Sequence, residues 1–479
     1  MQRSWRSWAG CLALTAAVTV SLLIGRLAAQ APPLSGGVLS PSAAPADEMA
    51  PRLLSGPKGE VFRFWRRWSD LRTGGGGVFL ALASPEQAWN KVLEILPSEP
   101  GVTALEPDVA FGSSNEVAVA YQWRRHLPRT KEVRLARSND GGKTWTQSST
   151  PVNASGAGFA PKLGWGRGGT LVAVWADERR GGERTWDVYA RRSPDGGATW
   201  EPEQLLSRFL QQTSADIYFR PEMVSDGQDH FWAVWAGLRN WRSSLYLSRS
   251  ADGGQTWADP VPLSGSSVSV FGQRLVRSGE RLLLVWQDSR TGQARIYAVA
   301  SSDGGVTWSS PTRVDHLPAD SQASATFPAA VLGPDGEAFV VWQDGRNGRD
   351  DIFVGRSLDG GRTWGTEDAR LDMDEPGTAV SRFPAIARGE DGRLAVAWDD
   401  DRAGYEGVYL RVRAAGNSPA WGPEVVVAPP GQKKGAGTVS LVWGRAGALY
   451  VAWEASDYAR GPMAATRQVD GRTLLLDKK

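Results

Sequence analysis

The sequence contains one cysteine and only three histidines. Cys11 lies in an apolar stretch near the N-terminus, and the histidines are His126, His230 and His316. A single thiol excludes a framework of intramolecular disulfides and a zinc site built on several thiolates. So few imidazoles argue against a Ser-His-Asp or Cys-His mechanism. Carboxylates, tyrosines and arginines are left for chemistry, and we expect no metal and no cofactor because no such motif occurs.

An excess of charge of either sign is also missing. The 54 Lys and Arg residues nearly balance the 52 Asp and Glu residues, so no overall field attracts nucleic acid, and we expect no nucleic-acid partner. The high counts are 23 Trp and 56 Gly. Many tryptophans in a glycine-rich chain indicate one packing position that recurs in several β-units.

The N-terminal residues 1–31 have the three parts of a secretory signal. These parts are the basic Arg3 and Arg6, an apolar stretch from Cys11 to Ile24, and a small-residue cleavage site at Ala29-Gln30-Ala31. We therefore expect a secreted or periplasmic protein. Contact with a membrane is expected only if the signal segment stays uncleaved as an anchor.

Two further segments precede the main domain, which we assign to residues 101–479. Residues 32–60 are rich in Pro, Ser and Ala, which predicts a flexible leader. Residues 61–100 form an N-terminal extension. There Trp89, Val92, Leu93 and Leu96 follow helical spacing, which predicts one short helix.

An internal repeat dominates the main domain. The pattern Ser-x-Asp-x-Gly-x-Thr-Trp, called the box below, occurs five times: Ser138 to Trp145, Ser193 to Trp200, Ser250 to Trp257, Ser301 to Trp308, and Ser357 to Trp364. A β-rich run that ends in an aromatic residue precedes each box, and two more such runs end at Trp398 and Trp453. The sequence thus predicts seven units with a period of about 50 to 60 residues.

Each unit is predicted to contain four short strands. Such antiparallel units bury their faces against one another when they close into a ring. The predicted fold class is therefore all-β, a β-propeller of four-stranded antiparallel blades. Seven blades are expected, with six or eight as alternatives, and the last unit is short.

The box itself has the composition of a hairpin turn. Its Asp can accept hydrogen bonds from backbone N–H groups, and its Gly can adopt positive φ. Five repeated aspartates cannot all form one active site, so we interpret them as turn-forming residues: Asp140, Asp195, Asp252, Asp303 and Asp359.

The boxes, the preceding Val-Trp strand and the Asp-x-Arg that follows it resemble the sialidase-like (BNR or Asp-box repeat) β-propeller family. The resemblance extends from Glu106 to about Trp421. It implies that the boxes lie on the propeller face away from the active site. Many proteins with these boxes are not sialidases, so the motif predicts the fold better than the activity.

Functional residues are therefore expected on the face opposite the boxes. Strand order places the loops between second and third strands there, together with the links between blades. These loops begin with Trp-x-Asp-x-Arg, which gives the candidate ligand-binding residues Asp177, Arg179, Asp288, Arg290, Asp344, Arg346, Asp400 and Arg402, with Arg125 and Arg239 where the Asp is lost. The arginines suit binding of an anion. Ion pairs that tie loops or blades together are the alternative interpretation.

The sixth unit departs from the others at Ser381-Arg382-Phe383-Pro384. This stretch is similar to the Arg-x-Pro of sialidases, whose arginine joins two others to bind the substrate carboxylate. The resemblance places Arg402 at a second such position and suggests Glu406 as an acid/base carboxylate, so the catalytic candidates are Arg382, Arg402 and Glu406. No third arginine and no Tyr-Glu nucleophile pair can be assigned.

The sequence leaves two hypotheses for function. The first is a non-catalytic module that binds an extracellular glycan or protein on the face opposite the boxes. The second is a sialidase-like exo-glycosidase that hydrolyses a terminal acidic sugar, with an arginine clamp for the carboxylate. An enzyme requires two converging carboxyl groups, or a tyrosine and a carboxyl group.

Overall fold

The computed structural model describes residues 47–70, 75–83, 93–96, 101–125, 129–180, 186–208, 217–239, 241–265, 267–416, 420–429, 434–457 and 466–475. These residues form strands and no α-helix. Short 3₁₀ turns lie at Arg167–Gly169 and Arg445–Gly447. No described helix is long and apolar enough to cross a membrane.

The strands form consecutive antiparallel meanders, which we call blades 1 to 8. Blades 1 to 4 comprise β1 (Asp47–Ser55), β2 (Val61–Asp70), β3 (Gly75–Ala83), β4 (Leu93–Leu96); β5 (Val102–Phe111), β6 (Val117–Arg125), β7 (Thr130–Ser138), β8 (Thr146–Gln147); β9 (Gly158–Trp165), β10 (Leu171–Asp177), β11 (Asp187–Ser193), β12 (Gln204–Leu205); and β13 (Ile217–Ser225), β14 (Phe231–Arg239), β15 (Arg242–Ser250), β16 (Val261–Pro262).

Blades 5 to 8 comprise β17 (Val270–Ser278), β18 (Arg281–Thr291), β19 (Gln293–Ser301), β20 (Thr312–Arg313); β21 (Ala325–Leu332), β22 (Ala338–Asp344), β23 (Asp351–Ser357), β24 (Ala369–Arg370); β25 (Ser381–Arg388), β26 (Leu394–Asp400), β27 (Gly407–Arg413), β28 (Val425–Ala428); and β29 (Lys434–Trp443), β30 (Ala448–Asp457), β31 (Thr466–Leu475). The prediction of an all-β propeller with four-stranded antiparallel blades is confirmed.

The seven units read from the sequence are blades 2 to 8, and residues 47–96 add blade 1. Blade 1 shares one sheet with blade 2 through a single parallel pairing of Gly76 with Thr103, so seven sheets hold eight meanders. The count of eight was one of the two alternatives. Blade 1 lacks the box, which is why the repeat pattern does not include it, although Trp65 of its second strand is buried and stacks on Phe79 as Trp175 does on Tyr189.

The N-terminal segments differ from the sequence predictions. The predicted helix is wrong at Leu93 and Leu96, which lie in β4 and pair with β3. The rest of its spacing, from Trp89 to Val92, falls outside the described residues. Strand β1 lies within the stretch assigned to a leader, and it pairs with β2. Side chains of β2, β3 and β4 are apolar and pack against blade 2, so strand pairing prevails over a short helical period.

The ring closes because the first strand of each blade lies next to the first strand of the following blade. At the junction of the chain ends, β1 packs against β29, β30 and β31. The repeated tryptophans fill the spaces between blades. Five of them are fully buried: Trp175, Trp235, Trp286, Trp342 and Trp398.

The boxes form the turns between third and fourth strands, as predicted. In the box of blade 3, the Gly197 N–H donates to Ser193 Oγ (2.7 Å), and that hydroxyl donates to Asp195 Oδ1 (2.8 Å). The N–H and the hydroxyl of Thr199 donate to the same carboxylate at 2.8 and 2.7 Å. Each box aspartate is therefore engaged in holding its own turn.

A bulge interrupts the first strand of all eight described blades, and in six of them the residue at the bulge has positive φ. Five of these residues precede a proline and are not glycine: Glu106, Ala160, Arg220, Phe327 and Phe383, with φ between 50 and 54°. Gly272 occupies the same place in blade 5. Such a conformation costs a non-glycine residue free energy, so the surrounding packing must hold it.

Charged side chains that follow these bulges form a row across five blades. The row alternates in sign: Arg52, Asp108, Lys162, Glu222 and Arg274. Lys162 Nζ lies 3.8 Å from Asp108 Oδ1 and 3.3 Å from Glu222 Oε2. Arg274 Nη1 lies 3.4 Å from Glu222 Oε1. Each pair joins neighbouring blades near the centre of the ring.

We predict that Ala160→Gly leaves stability unchanged or raises it by up to about 1 kcal/mol. Glycine adopts φ of 51° without strain, and this gain offsets the greater freedom of the unfolded chain. Urea unfolding measures the effect. Ala173→Gly in the buried middle of β10 is the control and should lower stability by about 1 kcal/mol. Equal losses in both variants would contradict the proposed strain.

We also predict that Thr307→Val destabilises the protein at pH 7 but hardly at all at pH 2. The hydroxyl and the N–H of Thr307 lower the pKa of Asp303 from 3.8 to about 2. A lowered folded-state pKa contributes stability above the unfolded value, and this stability is lost as pH falls from about 4 to 2. Thermal unfolding of both proteins across this range tests the prediction. A difference in Tm that persists unchanged at pH 2 would refute it.

Candidate functional site

All the candidate residues predicted from the sequence lie on the face opposite the boxes. They stand at the ends of second strands, in the loops that follow, or at the starts of first strands. The end of β10, for example, carries Asp177, and β11 begins at Asp187. The structure therefore has the two-faced arrangement that strand order predicts.

The repeated Asp and Arg residues of these loops bind each other. Asp177 is buried and accepts hydrogen bonds from the Trp175 indole (2.9 Å) and from the Nε and Nη2 of Arg179 (2.9 and 2.8 Å). Three other blades repeat the Asp-Arg ion pair: Asp288 with Arg290, Asp344 with Arg346, and Asp400 with Arg402. The positive charge of these arginines is neutralised inside their own loops.

Other acidic and aromatic groups hold the same arginines further. Arg402 Nη1 lies 2.7 Å from Glu424 Oε1, and the Arg346 Nη2 lies 2.6 Å from Asp368 Oδ2. Each guanidinium also stacks on an aromatic ring of the third strand, as Arg402 does on Tyr409 at 4.1 Å. The alternative interpretation of these residues as ion pairs fits this geometry.

The two arginines that lack the preceding Asp, Arg125 and Arg239, behave differently. Arg125, at the end of β6, stacks on the Trp123 ring at 4.8 Å. The backbone of Arg239, at the end of β14, pairs with the backbone of Arg242 in β15. These two arginines share the face with the ion-paired arginines but contact neither Arg382 nor Arg402 in the described part of the chain.

Arg382 and Glu406 are brought together by blade 7, and a third group joins them. Arg382 Nη2 lies 3.5 Å from Glu406 Oε1 and 3.2 Å from Asp399 Oδ2. Asp399 is buried, and burial raises its pKa to about 7 although Arg382 opposes the shift. Arg402 instead binds Asp400 and Glu424. The sequence analysis missed Asp399, although it follows Trp398 where Gln287 and Gln343 stand in blades 5 and 6.

Those two glutamines show what this position does elsewhere. Gln287 accepts a hydrogen bond from the bulge N–H of Phe327 in the next blade, and Gln343 accepts one from Phe383, each at 3.0 Å. Gln343 also donates to Asp350 Oδ2 at 2.7 Å, and burial raises the pKa of Asp350. Asp399 therefore replaces a glutamine that, in blades 5 and 6, accepts the bulge N–H of the next blade.

An acidic group lies between blades 6 and 7. Asp351, Asp372 and Asp374 each have a carboxylate oxygen within 4.8 Å of the others. Arg370 Nη2 lies 2.8, 3.1 and 2.6 Å from them. Burial and the charge of Asp351 raise the pKa of Asp372 to about 8. The guanidinium supplies the positive charge that these carboxylates require.

A row of aromatic side chains lies on the same face in blades 3, 4 and 5. The Trp186 ring makes edge contacts with Phe159 at 5.2 Å and with Phe219 at 5.9 Å. The Arg220 guanidinium lies 3.9 Å from the Phe271 ring and 5.1 Å from Phe219. These side chains are half-buried. We call Phe159, Trp186, Phe219 and Phe271 the aromatic row.

The sequence analysis missed the aromatic row because its members come from different repeats. Three of them occupy one position, directly before the bulge of a first strand, where blade 7 has Arg382. That recurrence was the available signal.

Comparison with known proteins supports the repeat assignment. Residues 78–287 match the family model of the BNR repeat-like domain. No curated protein matches the chain significantly.

Several solved structures are similar to this chain at low identity. The GH93 α-L-arabinofuranosidase of Fusarium graminearum is 17% identical, with 78% of this chain and 92% of that chain covered and a TM-score of 0.42. The NanB sialidase from Streptococcus pneumoniae is 12% identical, with 90% and 92% covered and a TM-score of 0.38. The Hadza microbial sialidase Hz136 is 17% identical, with 74% and 73% covered and a TM-score of 0.38.

These likenesses are too weak to assign an activity. The matched domain and the five boxes agree on the type of repeat. The resemblance of the chain to the sialidase-like BNR (Asp-box) repeat family is confirmed.

Proposed function

We propose that the protein is a non-catalytic propeller that binds a glycan on the face opposite the boxes. The aromatic row is the observation that carries this proposal. Sugars stack their C–H faces on aromatic rings, and polar groups beside the rings fix their orientation. The half-buried rings of Phe159, Trp186 and Phe219 offer such a surface in two adjacent blades.

The state of the loop arginines supports binding over sialidase-like catalysis. A carboxylate clamp requires guanidinium groups that are free to meet the substrate. Arg402 is bound by Asp400 and Glu424, and Arg382 is bound by Asp399 and Glu406. An acidic sugar would have to displace these internal partners.

The ligand is proposed to be extracellular. The basic residues and the apolar stretch within residues 1–31 support export. A glycan at a cell surface or in an extracellular matrix is a ligand available in that compartment.

We predict that Trp186→Ala and Phe219→Ala each weaken glycan binding by about tenfold or more, because each removes a stacking surface. A glycan array identifies a ligand, and calorimetry with that glycan measures the loss. Leu358→Ala is the control, since Leu358 is 70% exposed in the box of blade 6 on the other face. Unchanged binding by both aromatic variants, with their unfolding midpoints retained, would remove the aromatic row from the site.

A second candidate function is glycoside hydrolysis at Asp399 and Glu406. Asp399 Oδ2 and Glu406 Oε1 lie 3.2 and 3.5 Å from one nitrogen of Arg382. The two oxygens are therefore no more than about 7 Å apart, close enough for both to act on one glycosidic bond. The raised pKa of Asp399 keeps this carboxyl group protonated below about pH 7, as a general acid requires. Glu406 is more exposed and would serve as the base or nucleophile.

The two functions predict opposite results with a panel of fluorogenic glycosides that includes sialosides and uronides. Our proposal predicts no turnover by the wild-type protein. Turnover that rises below about pH 7 and falls about 100-fold or more in Asp399→Asn would establish the hydrolase instead. Glu390→Gln is the control, because Glu390 is an exposed carboxylate at the opposite end of blade 7. Arg382→Ala and Arg402→Ala test the predicted clamp separately.

A further inference from the structure

We infer that an oxyanion-binding site lies beside the aromatic row, formed by Arg66 and Arg220 around Glu106. The site would take the sulfate, phosphate or carboxylate group of a ligand. That the anionic group belongs to a glycan rests on the proposed function. That the site binds an anion rests on the geometry of the site alone.

Arg220 is a half-buried guanidinium without an acidic partner. Its ring contacts are Phe219 and Phe271, and the described residues provide no hydrogen-bond acceptor for its side chain. Burial lowers its pKa to about 10, and Glu106 only partly opposes this shift. Burial of a guanidinium without a counter-ion costs free energy, and binding of an anion offsets this cost.

Arg66, on β2, is a second buried guanidinium with an unused hydrogen-bond donor. Its side chain is 7% exposed, and its Nε has no hydrogen-bond partner among the described residues. Burial lowers its pKa, which Glu106 and Glu454 oppose. This nitrogen can donate a hydrogen bond to a ligand oxygen or to water.

Glu106 is the carboxylate whose charge acts on both arginines. Its Oε2 accepts the bulge N–H of Ala160 at 2.7 Å. Burial raises its pKa, while the charges of Arg66, Lys162 and Arg220 oppose the shift. Lys162 is already engaged by Asp108 and Glu222. Arg66 and Arg220 thus have one carboxylate in common, and Glu454 acts on Arg66 as well.

The backbone fixes this arrangement at a cost. Glu106 and Arg220 both have positive φ, at 50 and 54°, directly before Pro107 and Pro221. The Arg220 carbonyl accepts a hydrogen bond from Gln273 Nε2 in the next blade at 2.5 Å. Strain of this kind, held by a neighbouring blade, is typical of preorganised binding sites.

An oxyanion fits this site better than other ligands. Each guanidinium presents a planar fork of N–H donors, which matches the geometry of sulfate, phosphate and carboxylate oxygens. A protonated Glu106 would add one more donor.

The test uses the whole exported chain with inorganic sulfate and phosphate as probes. The unfolding midpoint is measured against sulfate and phosphate concentration, with chloride at matched ionic strength as the reference. We expect a saturable rise for the wild-type protein and its loss in Arg220→Gln. Arg167→Gln is the matched control, because Arg167 is 67% exposed on the box face.

Two further variants keep the test decisive if Arg220→Gln folds poorly. Arg220→Lys keeps the charge but lacks the fork, so we expect weaker yet measurable binding. Glu106→Gln still accepts the Ala160 N–H but removes the competing charge, so we expect about tenfold tighter binding and a weaker dependence on pH. Equal anion binding by the wild-type protein and all variants, or no saturable rise at all, would overturn the site.

A pair of glycans that differ only in one sulfate group separates the two proposals. Binding of the free anions without binding of either glycan would retain the site and refute the proposed function. Equal affinity for both glycans, unchanged in Arg220→Gln, would retain glycan binding and refute the role of this site in it.

Discussion

Packing of each blade against both of its neighbours is the constraint on which the molecule depends. A four-stranded meander has two apolar faces, and only a closed ring covers both faces of every meander. Trp175, Trp235 and Trp286, each on the second strand of its blade, fill these interfaces and are fully buried. Ion pairs near the centre, such as Lys162 with Glu222, join the same neighbours. Loops on either face are therefore free to differ between blades.

The two faces use this freedom differently. On the box face, Ser, Asp and Thr side chains bond within each turn, so nothing remains for a ligand. On the opposite face most arginines are neutralised by an aspartate of their own loop, as in Arg179 with Asp177. Departures from this symmetry concentrate at the first strands, where Arg220 and Arg382 replace apolar residues of the repeat. The exceptions to the repeat, more than the repeat, carry the candidate chemistry.

The sequence predicts the parts of the fold that local patterns encode. The box turns, the Trp-ended strands and the two faces follow from spacing alone, since each lies within one repeat. Blade 1 was not predicted because β1 to β4 lack the box, and their strands are recognised only through their pairing. The surroundings of Arg220 could not be predicted for a similar reason. Glu106 and Arg220 are on different blades, and only ring closure brings them together.

The contact between β1 and β29 to β31 has a consequence for how the protein is made. One side of β1 stays uncovered until β29, β30 and β31 have formed. Until those strands are in place, Leu53 and Val61 lack the cover of Tyr450, against which they are buried in the folded protein. Assembly thus ends with a step of high contact order, which is slow and leaves apolar surface exposed. A chaperone in the compartment where the chain folds would act during that interval.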